Sequence, residues 1–197
     1  MRIHRLRATL TVAAIALPLT LPARLPEFIQ PPDNDTRQQV LLDLSESGYG
    51  GVGGLYEYAL DGRHSLEAGL NFGGDGLPGD YWTVSGVKAA FNFWIPADFW
   101  PHPSARLLGW YAGPELRLDY VNWRYDWGGG SYNSGATYFG GGAQGGYQWI
   151  FHPGLTARLF AEADYLGGTL NGPAGAPAGP GFGGVTVGGH AAVGWSF

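Results

Sequence analysis

In the stretch "LFAEADY", Glu162 and Asp164 stand two residues apart, and Arg158 lies on the same side of the alternation. In "GPELRLDY" the same step of two joins Glu115, Arg117 and Asp119. If both stretches are strands, each puts carboxylates and a guanidinium on one face, because successive side chains of a strand point in opposite directions. Continuing that register along the chain collects Asp43, Glu57, Glu67, Lys88, Gln144, Gln148 and His190 onto the same face. Seven acids then face three permanent cations. Such a set has the residue types for acid–base catalysis or for an ion path. It is equally the material of a salt-bridged plug, in which each buried charge needs a partner and the two arginines can serve the carboxylates in pairs. The plug is the preferred reading.

A nucleophile and an orienting acid beside His190 would be needed for catalysis. The hydroxyls on its face, Thr186 and Ser196, fall far along the strand. His64, His102 and His152 sit in expected turns without metal-ligand spacing, and there is no cysteine. The sequence therefore gives no reason to expect a catalytic residue, a cofactor or a metal ligand.

The elements that would position these side chains are strands. From residue 38 onward there is alternation broken by Gly, Pro, Asp and Asn clusters, with no helical period. Strands are expected near 38–46, 51–60, 64–73, 81–95, 105–123, 136–151, 154–168 and 182–197. "DGRH" and "HPG" read as tight turns, whereas "GGDGLPGD", "RYDWGGGSYNSG" and "GTLNGPAGAPAGPG" read as longer loops at the opposite end. The connection "PADFWPHPS" is long for the turn set. Opposite the charged face lies an apolar one: Trp110, Ala112, Leu116, Leu118 and Tyr120; Leu155, Ala157, Leu159, Ala161, Ala163 and Tyr165; Leu66, Ala68, Leu70 and Phe72. Trp82, Tyr120, Tyr147, Trp149, Tyr165 and Trp195 stand toward strand ends, like the aromatic girdles of membrane barrels. The expected fold is all-β: a closed antiparallel up-and-down transmembrane barrel of eight strands, apolar outside and polar within.

Composition agrees. Glycine supplies 35 residues and aromatics 15%, while charged residues are only 14%, against roughly 25% in ordinary globular domains. The start of the chain has Arg2, Arg5 and Arg7, then the apolar run "ATLTVAAIALPLTL", then "PAR". This is the layout of an export signal, with cleavage expected after Ala23. Residues 24–37 form a Pro-rich leader and 38–197 the barrel. Without the signal, eight basic residues remain against sixteen acidic ones, a formal charge of −8 that argues against a nucleic-acid partner.

The chain closes on "HAAVGWSF", in which Val193, Trp195 and Phe197 share the apolar face. Together with "GGLYEYAL" and "YAGPELRLDY", this ending resembles the small eight-stranded outer-membrane barrels of the OmpA-transmembrane and OmpX type, within the porin family of Gram-negative cell envelopes. The resemblance covers the barrel alone, with no peptidoglycan-binding domain after it. It implies a multi-pass outer-membrane monomer in contact with outer-membrane lipid. It also implies that Val193, Trp195 and Phe197 form a C-terminal signature read by the barrel-assembly machinery. The implied role is structural, or surface interaction through extracellular loops with a ligand the sequence does not name. The alternatives are a small-solute pore and a lipid A-modifying enzyme. A lipid A deacylase would need a His/Ser/Glu set facing lipid, whereas the one His-x-Ser of the chain, His102-Pro103-Ser104, falls in the connection "PADFWPHPS", and 24–37 is too proline-rich for the amphipathic helix of a palmitoyltransferase.

Overall fold

The computed structural model describes residues 36–44, 51–77, 80–95, 107–127, 130–151, 154–171 and 183–197. The export signal and most of the leader lie outside them, as do His102 and His152. Eight strands follow in order: β1 (Gln38–Asp43), β2 (Val52–Ala59), β3 (His64–Leu77), β4 (Asp80–Ile95), β5 (Gly109–Trp127), β6 (Gly130–Phe151), β7 (Leu155–Asn171) and β8 (Gly184–Ser196). Each pairs antiparallel with the next, and β1 pairs with β8, so the sheet closes on itself in sequence order. The expected closed, eight-stranded, up-and-down antiparallel barrel is the fold.

Two turns at one end show how the chain reverses. Between β2 and β3, the Asp61 carboxylate accepts the backbone N–H groups of Arg63 (2.6 Å) and His64 (2.8 Å), and Leu60 N–H bonds to His64 O at 2.9 Å. An Asp side chain that bonds its own backbone a few residues on is a turn device. The His64 ring Nδ1 lies 2.8 Å from the same carboxylate, and this hydrogen bond leads the causes that hold Asp61 below the usual carboxylate range. Between β6 and β7, Gly154 has φ +138°, a conformation that side chains other than glycine rarely adopt. Its N–H bonds to Phe151 O and its carbonyl accepts Ser196 N–H, tying the turn to the end of β8.

The closing seam is short but continuous. Gln39–Asp43 pair with Ala192–Ser196, and Phe197 and Gln38 exchange backbone bonds at 2.8 and 3.0 Å. Arg37 N–H also bonds to Phe197 O, Arg37 O accepts Ala59 N–H, and Thr36 is buried. The last two residues of the expected leader therefore belong to the barrel.

The apolar face is the outer one. Val40, Leu42, Leu66, Leu70, Val87, Phe93, Leu116, Leu118, Phe139, Leu155, Val193 and Trp195 are all exposed. On β2, Tyr56 and Tyr58 point out and Glu57 in, a cleaner alternation than its sequence suggests. Outward apolar residues run from Trp110 to Tyr120 and from Leu155 to Tyr165, matching the about 9–11 residues of a tilted membrane-crossing strand. Beyond them the outward positions turn polar: Ser85 and Thr83 on β4, Asn122 and Arg124 on β5, Thr137 and Asn133 on β6, Thr169 on β7.

Three expectations are corrected here. The stretches "GGDGLPGD" and "RYDWGGGSYNSG" are not open loops: pairing continues to Leu77↔Asp80 and Trp127↔Gly130, giving two-residue connections at the tips of long hairpins. Glycine and aromatic residues that read as loop chemistry are held there by partner strands. Trp82 lies on the Lys88 side of β4, not in the outer girdle, because its position is even in a strand whose odd positions face out. His64 opens β3 instead of sitting in the turn before it.

Candidate functional site: the barrel interior

All thirteen interior residues expected from the sequence are found inside: Asp43, Glu57, Glu67, Lys88, Glu115, Arg117, Asp119, Gln144, Gln148, Arg158, Glu162, Asp164 and His190. They form two groups, one toward the turn end and one toward the loop end.

The turn-end group centres on Arg158, which is 1% exposed. Its guanidinium bonds to Glu57 and Glu67 and, through Nε, to Gln148 Oε1 at 2.7 Å. Glu57 also accepts from Ser65, from Asn92 (3.1 Å) and from Gln39 (2.5 Å), while Glu67 accepts from Gln144 (3.1 Å). Gln39 and Gln148 bond each other, and Gln148 donates to Leu107 O. The flat guanidinium lies over the Tyr111 ring at 4.8 Å and the Trp94 ring at 6.0 Å, and Trp94 Nε1 donates to Ser65 Oγ at 2.8 Å. Leu41, Leu55, Leu107, Ile150 and Phe160 join Trp94 and Tyr111 in one buried cluster. Charge, amide and aromatic face together fill the cross-section, as the lumen of an eight-stranded barrel allows.

The loop-end group centres on Arg117. It bonds Asp119 through Nε (2.7 Å) and Glu162 through Nη1 (2.6 Å), and Asn71 donates to Asp119 at 3.2 Å. Lys88 bridges the groups, 3.7 Å from Glu67 and 3.5 Å from Glu162, with its ammonium over the Phe160 ring at 4.8 Å. His190 stacks on Phe160, places Nδ1 2.9 Å from Asp43 Oδ2, and turns Nε2 to within 3.2 Å of Glu162 Oε1. That last contact is not aligned as a hydrogen bond, and Nε2 has no hydrogen-bond partner. All four carboxyl oxygens of Glu115 and Asp164 are likewise buried without one.

Glycine makes room for these groups. Gly86 faces Asp119 across the β4–β5 pair, and a Cβ there would fall 1.9 Å from the Asp119 carboxylate. Gly142 pairs with both Glu115 and Asp164, and a Cβ there would fall 2.2 Å from Asp164 Oδ1.

The charged set read from the sequence does not include Gln39, Ser65, Asn92, Trp94 and Tyr111. Each stands an even number of positions from a member of that set on its own strand, Gln39 from Asp43, Ser65 from Glu67, Asn92 and Trp94 from Lys88, and Tyr111 from Glu115, and that step is the signal that finds them. Ser196 bonds Thr156 (2.5 Å) and Gln39 (3.1 Å), at the opposite end of β8's inner face from Thr186, whose hydroxyl donates to Asp164 O at 3.5 Å. Val193, Trp195 and Phe197 all point outward and are exposed.

No protein-family model matches the chain, and no curated protein matches it. Among solved structures, it is similar to the N-terminal β-barrel domain of Pseudomonas aeruginosa OprF, at 14% identity over 82% of this chain and 98% of that one, with a TM-score of 0.42. It is similar to Acinetobacter baumannii CarO at 11% identity, over 87% of this chain and 100% of that one, with a TM-score of 0.42. A third likeness is to Acinetobacter baumannii CarO2, at 14% identity over 82% and 98% of the two chains, with a TM-score of 0.41. What defines the architecture is the chain's own strand pairing, a closed eight-stranded antiparallel barrel.

Proposed function

We propose that this chain is an outer-membrane barrel with a side-chain-filled core, whose role is structural or surface interaction. The observation that carries this reading is the inverted polarity of the closed sheet. Exposed Val, Leu, Phe, Tyr and Trp cover the outer face of all eight strands, while Arg158, Glu57, Glu67 and Asp164 are almost fully buried. In water, an apolar band of that extent would far exceed the patches of a few hundred Å2 that soluble monomers carry. In a bilayer it is the lipid-facing surface, and closure leaves no strand edge with unpaired backbone groups. Export by residues 1–23, insertion by the barrel-assembly machinery and a monomeric state complete the proposal.

On this reading, the turn end faces the periplasm and the long β3–β6 hairpins rise outside the cell. Their outward Thr83, Asn122, Arg124 and Asn133 give the surface-interaction role its material. The filled turn-end layer favours a plug over a small-solute pore. Among the described residues the lipid face carries no His–Ser pair, which favours the structural reading over a lipid A-modifying enzyme.

The test is refolding from denaturant into phosphatidylcholine vesicles. The proposal expects heat-modifiable gel migration and protection of the strands from added protease. Equal refolding to a monodisperse form in plain buffer, without lipid or detergent, would overturn it.

A further inference from the structure

We propose that the loop-end interior holds one divalent cation between Glu115, Glu162 and Asp164, with His190 Nε2 as a nitrogen donor beside them. One oxygen from each carboxylate lies within 4.8 Å of the others. Calcium takes oxygen ligands at about 2.3–2.6 Å, so ligands on opposite sides of one ion stand about 4.6–5.2 Å apart. The three carboxylates thus already span the gap that a shared ion fills.

Proximity of acids alone would not make a site; three other observations point to a ligand. First, Glu115 and Asp164 are 3% and 1% exposed, and none of their four carboxyl oxygens has a hydrogen-bond partner. Elsewhere in the interior, Glu57 and Glu67 are fully served by Arg158, amides and a hydroxyl. Buried polar groups in folded proteins are paired as a rule, and an exception needs an ion, a water or a proton to explain it. Second, His190 turns Nε2 toward Glu162 at 3.2 Å without hydrogen-bond alignment, while Nδ1 faces the Asp43 carboxylate at 2.9 Å. A ring nitrogen aimed at a carboxylate-lined space, with the other nitrogen bonded to a second carboxylate, is the arrangement of metal-binding histidines. Third, Gly142 and Gly188 let the donors approach closely: a Cβ would fall 2.2 Å from Asp164 Oδ1 at the first and 2.7 Å from His190 Nε2 at the second.

Charge supports the same reading. Arg117 is committed to Asp119 and Glu162 and stands 4.0 Å from Asp164. Lys88 is shared between Glu67 and Glu162. No described cation is left for Glu115. A carboxylate-rich set with one imidazole suits manganese, between the oxygen preference of calcium and the nitrogen preference of zinc. The donors come from β5, β7 and β8, so no sequence spacing announces them. The site depends on the barrel interior only and would exist wherever the barrel resides.

The experiment uses the full barrel refolded in detergent micelles, stripped with EDTA and titrated with Mn2+, Zn2+ and Ca2+ by calorimetry and, for Mn2+, by electron paramagnetic resonance. The expected result is one Mn2+ per chain, tighter than Ca2+, and a higher melting temperature with the ion. Glu115→Gln and Asp164→Asn should each weaken Mn2+ at least ~10-fold, and Asp43→Asn by about 10- to 100-fold through the orientation of His190. Asp61→Asn, in the β2–β3 turn away from the site, should bind as the original does. His190→Gln should remove nitrogen coupling from the Mn2+ signal. Wild-type protein that binds none of the three ions at millimolar concentration would overturn the proposal and leave a proton shared by Glu115 and Asp164 in its place. Binding that survives unchanged in the Glu115→Gln/Asp164→Asn pair would overturn it too. The wild-type titration reads the site even if a variant fails to fold.

Discussion

Around Arg158, two carboxylates, a glutamine and two aromatic rings meet one guanidinium, and a second glutamine, an asparagine and a serine bond to Glu57 behind them. Around Arg117, four carboxylates and a histidine crowd a guanidinium and a shared lysine, and two of the carboxylates, Glu115 and Asp164, go without a hydrogen-bond partner. Both groups lie inside the same barrel, built on the same alternation. The difference lies in the neutral residues. The turn end interleaves its charges with amides and rings that satisfy and enclose them, whereas the loop end interleaves its charges with glycine at 86, 142 and 188. Amides and rings close a lumen. Glycines cede their side-chain volume to carboxylates and the imidazole. One half of the interior is built as a seal and the other as a cluster of acids.

Removing Arg158 is the strongest way to break this comparison. Arg158→Met would leave Glu57 and Glu67 buried without their main cation, at a cost of about 3–5 kcal/mol. Arg117→Met should cost less, about 1–3 kcal/mol, because Glu162 keeps Lys88 and His190 beside it and Asp119 keeps Asn71. Urea titration of vesicle-folded protein measures both. Equal losses would erase the distinction between the seal and the acid cluster.

The outer face gives the next effect. Leu118→Arg or Leu159→Arg should cost roughly 2–4 kcal/mol where the residue lies near the bilayer midplane. Gln144→Arg, inside, should not share that dependence on depth. Leucine variants that fold into vesicles as well as wild type would show that the apolar belt does not face lipid.

Deleting Phe197 should matter modestly in detergent, because its ring is 58% exposed at the end of the seam. Its backbone bonds to Arg37 and Gln38 are lost as well, so refolding should be slightly weakened and not abolished. In cells the loss should be larger, with unassembled chain accumulating in the periplasm, if the ending serves as an assembly signature. Normal surface assembly of the deletion would contradict that role.

The smallest effect concerns the β2–β3 turn. Asp61 is held below the usual carboxylate range by His64 and by backbone N–H groups. Its contribution is therefore present above the ordinary carboxylate value and lost as pH falls through the lower, folded one. Asp61→Asn should flatten a slight acid-side decline in stability measured between about pH 5 and pH 2. An unchanged acid limb would mean the turn holds without the charge.

Much of this was legible in the residues. Strand number, order and inside–outside register follow from a period of two, which is why Glu57, Glu115 and Asp164 could be placed inward. Strand length was not legible at Gly73–Asp80 and Arg124–Gly135. Glycine and aromatics carry the same signal in an open loop as in a hairpin whose partner strand is long. Trp82 was misplaced because large aromatics suggest a girdle, while only the count along β4 tells which face they take. Nor could the sequence show which carboxylates lack hydrogen-bond partners. That depends on which side chains meet across the lumen, as Arg158 does with Glu67 from 91 positions away.

The central claim is a membrane barrel sealed by the layer around Arg158. Single-channel recording of the refolded full chain in a planar bilayer tests it most directly. The account predicts insertion without a steady conductance at neutral pH, because Arg158, Gln148, Gln39 and Tyr111 fill the turn-end lumen. A steady open pore of small-solute size in the unmodified protein would contradict it.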